Sequence, residues 1–217
     1  MSNPLVKVIA LCATEPSVPA GAERVQINLD DAAVAGAMLR LTHLPEAPKA
    51  VLCAWMPAES VESWVAGLPA DAAAYSVEER VVLPITPDRV DAQGRVEGFA
   101  NIALLRCPAE MEYSDWRRIW QEDHVGPAVD LQATFGYVQN RVLQPLTPNA
   151  PAIDAIVEEQ FPIKALGDFK AFYGVSTDEE MGQRMTAMLA SVVRFGADRD
   201  IDVIPTSRFE FVPRQVD

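Results

Sequence analysis

Two stretches of this chain are written to one plan: AVLCAWMPAESVESW from Ala50 and AIVEEQFPIKALGDF from Ala155. Each is a strand-forming run, then a proline, then a helical pattern whose aromatic, Trp64 or Phe169, falls at the same step. Proline has no N–H to give a sheet and suits the first turn of a helix, so Pro57 and Pro162 mark strand-to-helix junctions. The surrounding segments repeat as well. In the first half, Leu5–Ala13, Lys49–Trp55 and Ala73–Leu83 read as strands. A helix is expected over Ala32–Leu41, capped by Asp30 or Asp31, with Val34, Met38 and Leu41 on one face. Glu59–Ala66 reads as a shorter helix, and Arg40–Leu44 as a stunted strand. In the second half the strands are Gly98–Cys107, Tyr137–Gln144, Ala155–Phe161 and Ser207–Val212. Its helices are Asp115–Val125, capped by Ser114, and Asp178–Phe195, with Met181, Met185, Met188, Leu189 and Val192 at helical spacing. Both halves end a strand at proline, Pro84 and Pro213. Order, proline and aromatic together point to internal duplication. The loop Thr86–Arg95 is the boundary, giving an N-terminal repeat over 1–94 and a C-terminal repeat over 95–217.

The order β-α-β-β-α-β is that of the ferredoxin-like split βαβ unit, an antiparallel sheet with two helices on one face. Its other face is left bare and apolar, and a second copy of the same sheet is the simplest cover. The fold class expected is α+β: two tandem ferredoxin-like repeats forming an α/β-barrel with antiparallel sheets. A short linker makes the pairing intramolecular, so the barrel should close within one chain.

Composition narrows the function. The net charge is −13, and the 18 basic residues are dispersed, so neither nucleic acid nor an anionic membrane surface is an expected partner. No apolar run approaches the roughly 20 residues of a spanning helix, and Leu5–Ala13 reads as a strand rather than a signal peptide. Cys12, Cys53 and Cys107 are odd in number and far apart, which suits buried thiols in a reducing cytoplasm better than disulfides or zinc. G-x-S-x-G, G-x-G-x-x-G, P-loop and H-E-x-x-H patterns are all absent. With two histidines and no grouped cysteines, neither a metal nor a cofactor is expected.

The segment YSDWRRIWQEDHVGP, Tyr113–Pro127, carries the strongest functional signal. Trp116, Trp120 and His124 recur at steps of four and form one helical stripe. Two readings stand for His124. Gly126 and Pro127 just beyond it resemble a helix stop, where an imidazolium gains up to ~2 kcal/mol from the helix dipole. Alternatively it is a general acid/base, since imidazole titrates near neutrality. Trp116 and Trp120 either pack the core or wall an aromatic ligand. In the following strand Tyr137, Gln139 and Arg141 share one face and Val138, Asn140 and Val142 the other. Asn140 is either a satisfied core amide or a donor to a substrate carbonyl. Glu158 and Glu159 point to opposite faces of an apolar strand. One should be solvated, and the other, with Glu158 the chosen candidate, faces the site or simply guards an edge.

WRRIWQEDHVGP followed by FGYVQNRVL resembles the EthD-like branch of the dimeric α/β-barrel superfamily. There a helix of the type F-x-x-Y-W-x-x-x-H-x-P leads to a strand of the type Y-x-Q-N-x-V. Trp116 stands for the first aromatic, Trp120 for the Trp and His124 for the His, while Pro127 falls one place late behind Gly126. The resemblance covers about residues 98–212; the first half matches only in element order. It implies a cofactor-independent enzyme doing proton-transfer chemistry (cyclisation, dehydration or decarboxylation) on a small aromatic or polyketide-like carbonyl compound. His124 would then be catalytic, and Trp116, Trp120, Tyr137, Asn140 and Glu158 would bind substrate. The competing expectations are a non-enzymatic small-molecule binder on the same scaffold and a haem protein ligated by His124. A homodimer is the expected assembly.

Overall fold

A computed structural model of the chain describes residues 4–211. Its eight strands are β1 (Val6–Cys12), β2 (Arg24–Leu29), β3 (Ala50–Met56), β4 (Ala73–Leu83), β5 (Phe99–Leu105), β6 (Gly136–Pro145), β7 (Ala155–Phe161) and β8 (Asp202–Phe211). They close into one barrel in the order β1-β3-β2-β8-β5-β7-β6-β4. Every pairing is antiparallel. The fold is thus α+β with a closed antiparallel barrel, as expected. Strands of the first half run β4-β1-β3-β2, and those of the second run β8-β5-β7-β6. The halves join through two seams, β2 with β8 and β4 with β6, so neither sheet keeps an open edge.

The helices are α1 (Val61–Ala66), α2 (Tyr113–Arg118), α3 (Val125–Asp130), α4 (Phe169–Tyr173) and α5 (Asp178–Val192). Thr177 and Glu180 form a reciprocal capping box that starts α5. Pro57 and Pro162 stand where the duplicated pattern puts them, each ending a strand before a 3-10 turn. Val212 and Pro213 lie outside the described residues.

Two expectations are corrected. The helix over Ala32–Leu41 is only a 3-10 turn, Ala32–Val34, with Asp31 accepting from the Ala33 N–H. After one more local bond, Ala37 N–H to the Val34 carbonyl, the backbone bonds to the second half: Met38 N–H donates to the Leu166 carbonyl and Leu41 N–H to that of Val203. The second strand is β2, upstream, rather than Arg40–Leu44, of which only Leu41 makes a bridge. Its alternation is inverted. Gln26 and Asn28, the polar residues, are the buried interior set, while Val25, Ile27 and Leu29 pack on the outer side.

Alternate residues of each strand face the barrel interior or the helices. Ile9, Leu11, Val51, Tyr75, Ile102 and Ile156 belong to the interior cluster. One end of the interior is polar. Glu158, 2% exposed, accepts from Lys7 Nζ at 2.7 Å, Gln26 Nε2 at 2.5 Å, Asn140 Nδ2 at 2.9 Å and Arg208 at 3.5 Å. Lys7 Nζ also donates to Glu79 at 2.8 Å. Removing one member strands buried charge, so Glu158→Ala should cost ~3–5 kcal/mol in urea unfolding. A Lys7→Met, Glu158→Leu, Arg208→Met triple variant should recover most of that loss. Burial alone would raise the Glu158 carboxyl, but Lys7 and Arg208 outweigh it and hold the pKa at about 2. An unfolded glutamate titrates near ~4.3, so this contribution is present above that pH and is lost as pH falls towards 2. Acid unfolding of the wild type should therefore be steep below about pH 4, and blunted in the triple variant.

Candidate functional site

A cavity of about 190 Å³ lies outside the barrel, between the second half's sheet and its helical cover. Its floor is a row across three paired strands. Tyr137 on β6 faces Glu159 on β7, which faces Asn101 on β5. Trp120 and His124 close one side, Met188 and Val192 of α5 another, and Leu39 and Leu41 arrive from the first half. The segment that failed to become a helix thus supplies part of the wall.

The Trp120–His124 side depends on a π-helical turn over Ile119–Asp123, in which His124 N–H donates to the Ile119 carbonyl five residues back. Such single turns recur at functional sites because they re-aim the side chains that follow. The helix does not stop at Gly126. It continues as α3, with Pro127 in the first turn, where its missing N–H costs nothing. His124 is the junction that ends the π-helical turn and caps the start of α3, so an imidazolium there would face a helix N-terminus and the dipole reading falls. Its Nδ1 lies 2.8 Å from Ser191 Oγ, and its ring packs on Phe195 at 4.8 Å between centroids. Burial, with Arg194 adding to it, lowers the imidazole pKa to about 4, so the ring is neutral at physiological pH.

Glu159 behaves oppositely to its neighbour in sequence. No hydrogen bond or ion pair reaches its carboxyl among the described residues, and burial pushes its pKa up to about 7. The two adjacent carboxyls differ in environment: Glu158 is buried and ion-paired inside the barrel, whereas Glu159 is half-buried and unpaired beside the cavity. Three further polar atoms belong to residues of the cavity wall and are buried without a partner: Trp120 Nε1–H, Asn101 Oδ1 and Gln132 Oε1. An orphaned buried group costs about 1–3 kcal/mol, which a ligand that pairs with it would recover.

The sequence-predicted residues divide between two faces of the sheet. Trp120, His124 and Tyr137 meet in the cavity. Trp116 does not line it; the indole is fully buried, donates to the Phe195 carbonyl at 3.1 Å and stacks behind Trp120 at 5.3 Å. Asn140 and Glu158 face the barrel interior, where they bond to each other, so a His124–Glu158 pair across a pocket does not exist. Glu159 is the carboxylate on the cavity side. Asn101, Gln132 and Ser191 escaped sequence reasoning. Only Asn101 left a signal, as the lone amide in the apolar run FANIALL.

Haem does not fit this site. The cavity, about 190 Å³, is smaller than the roughly 300–1,000 Å³ of ordinary ligand pockets. No cluster of three or more His, Cys, Asp or Glu able to hold a metal occurs among the described residues. Among the same residues no helix is long and apolar enough to cross a membrane.

The two perturbed groups make opposite demands on stability. Glu159 is raised, so its contribution is complete below ~4.3 and is lost as pH climbs through about 7. His124 is lowered, so its contribution is complete above ~6.5 and is lost as pH drops through about 4. Between about pH 4.5 and 6.5 they oppose each other. Glu159→Gln should unmask the histidine, giving a melting temperature that rises more steeply with pH across that window than in the wild type.

No protein-family model matches the chain, and no curated protein is significantly similar to it. Among solved structures it is similar to an anthrone oxidase-like protein, with 8% identity over 96% of this chain and 94% of that one and a TM-score of 0.51. A suspected monooxygenase from Lactobacillus acidophilus NCFM is 10% identical over 95% and 94% of the two chains, with a TM-score of 0.41. The first likeness supports the barrel fold and nothing finer; the second is too weak to bear on it.

Proposed function

We propose that this protein is a cofactor-independent enzyme that moves protons on a small aromatic carbonyl compound, with Glu159 as the base. The carrying observation is Glu159 itself, a carboxyl poised near neutrality without a protein partner on the floor of an aromatic-walled cavity. The carboxylate removes a proton from the carbon beside the carbonyl, and the electron pair passes to the carbonyl oxygen. Trp120 Nε1–H, left unpartnered, is the donor suited to that oxygen. Asn101 Oδ1 and Gln132 Oε1 accept from substrate hydroxyls, which favours a phenolic ketone of one or two rings in a space of about 190 Å³. His124, neutral and tied to Ser191, orients the substrate and is not the base. Tyr137 completes the floor. Aldol-type cyclisation and elimination of water both begin with such a transfer, whereas a decarboxylation ends with one, the carboxyl giving its proton to the carbanion that CO2 leaves behind.

The motif of Trp120, His124, Tyr137 and Asn140 supports an origin in the EthD-like branch, and the matching strand order of the halves supports duplication with repeats at 1–94 and 95–217. The name of the anthrone oxidase-like neighbour is in keeping with an aromatic substrate.

A panel of hydroxylated aromatic ketones, screened by thermal shift and then by product analysis, tests the reading. Turnover by the wild type is expected, with kcat lowered about 10²–10⁴-fold in Glu159→Gln and the fold intact. Trp120→Phe keeps a flat wall without the N–H and should lower kcat about 10-fold or more. Full activity in Glu159→Gln removes the base. Ligand-induced stabilisation without product would make the protein a binder.

A further inference from the structure

We propose that α5 is the interface of a two-fold homodimer in which each α5 packs antiparallel on its copy. One side of α5 is committed inward through Met188 and Ser191. Much of the opposite side is exposed among the described residues. Gly182, Thr186 and Ala190 make a narrow ridge at steps of four, where a Cβ on Gly182 would meet nothing within 4 Å. Beside it stand Met185, Leu189 and Val193, which are 44, 54 and 52% exposed. A low ridge beside a high one is the relief that two helices interdigitate.

The occupant is read from charge. The first turn of α5 carries Asp178, Glu179 and Glu180 against two cations, Lys170, which pairs with Asp178 at 3.0 Å, and Arg184, which acts on Glu180 while donating to the Tyr173 carbonyl. Past its other end Arg194 and Arg118 share a single carboxylate, Asp123. The surface is therefore acidic at one end and basic at the other. Parallel pairing would set acid on acid, whereas antiparallel pairing sets each acidic end on a basic one. The sequence is also balanced about one residue. Gly182 and Ala190 lie four places before and after Thr186, and Asp178 and Arg194 lie eight before and after. A two-fold axis at Thr186 would thus bring ridge to ridge and carboxylate to guanidinium at once, which is the self-complementarity an isologous contact needs.

Sedimentation equilibrium of the full chain at micromolar concentration is the test, with a dimer expected. Leu189→Glu should weaken it at least ~30-fold while leaving the far-UV circular dichroism and the melting temperature at monomer concentrations unchanged, because the side chain is more than half exposed in the single chain. Thr186→Cys should give a disulfide-linked dimer on mild oxidation, and adding Leu189→Glu should abolish the cross-link. A wild type that stays monomeric overturns the proposal. So does a dimer that Leu189→Glu leaves intact, since that dimer would use another face.

Discussion

Closure of the sheet is the constraint from which the rest follows. Once β2 bonds β8 and β4 bonds β6, every strand must send alternate residues either inside the barrel or under the helices. That alternation decides which side chains can ever meet. It puts Asn140 and Glu158 inside with Lys7 and Arg208, and Tyr137 and Glu159 outside with Trp120 and His124. Two glutamates adjacent in sequence therefore inhabit environments separated by the full thickness of a sheet.

The interior solves a volume problem with charge. Lys7, Glu79, Glu158 and Arg208 occupy one end, and only Glu158 collects four donors. Such a network adds little net stability over an apolar filling, yet every member is costly to remove alone. It also anchors β1, β2, β6, β7 and β8 to a single carboxylate, so it ties both halves to one register. The outer side of the second half is built the other way, with a carboxyl and three polar atoms left unpaired around a cavity. Other buried polar atoms among the described residues, both side-chain polar atoms of Asn28 and Trp64 Nε1 included, also lack a partner, but those around the cavity stand where a ligand could pair them.

Much of this was legible in the residues. Seven of the eight strands, the proline junctions and α5 follow from alternation, helical spacing and the absence of an N–H in proline. The exception, β2, was hidden because its polar residues face inward: alternation shows that two faces differ, without showing which is buried. The segment after it was misread for a related reason. Its apolar spacing is real, but Leu39 and Leu41 are spent on the cavity of the other half, and its backbone hydrogen bonds go there too. Local pattern yields to tertiary pairing where the partner lies more than a hundred residues away.

The stripe of Trp116, Trp120 and His124 shows the same limit at finer scale. Spacing of four placed them on one face, but only the last two reach the cavity. The difference is the π-helical turn over Ile119–Asp123, which begins after Trp116 and ends just before His124, with α3 then running on through the Gly-Pro pair. Residue types alone favoured histidine as the titrating group. Burial reverses the assignment: a cavity dry enough to hold an apolar ring drives imidazole towards its neutral form and carboxylate towards protonation. In such a cavity the carboxyl, not the imidazole, ends up with a pKa near neutrality, about 7 against about 4.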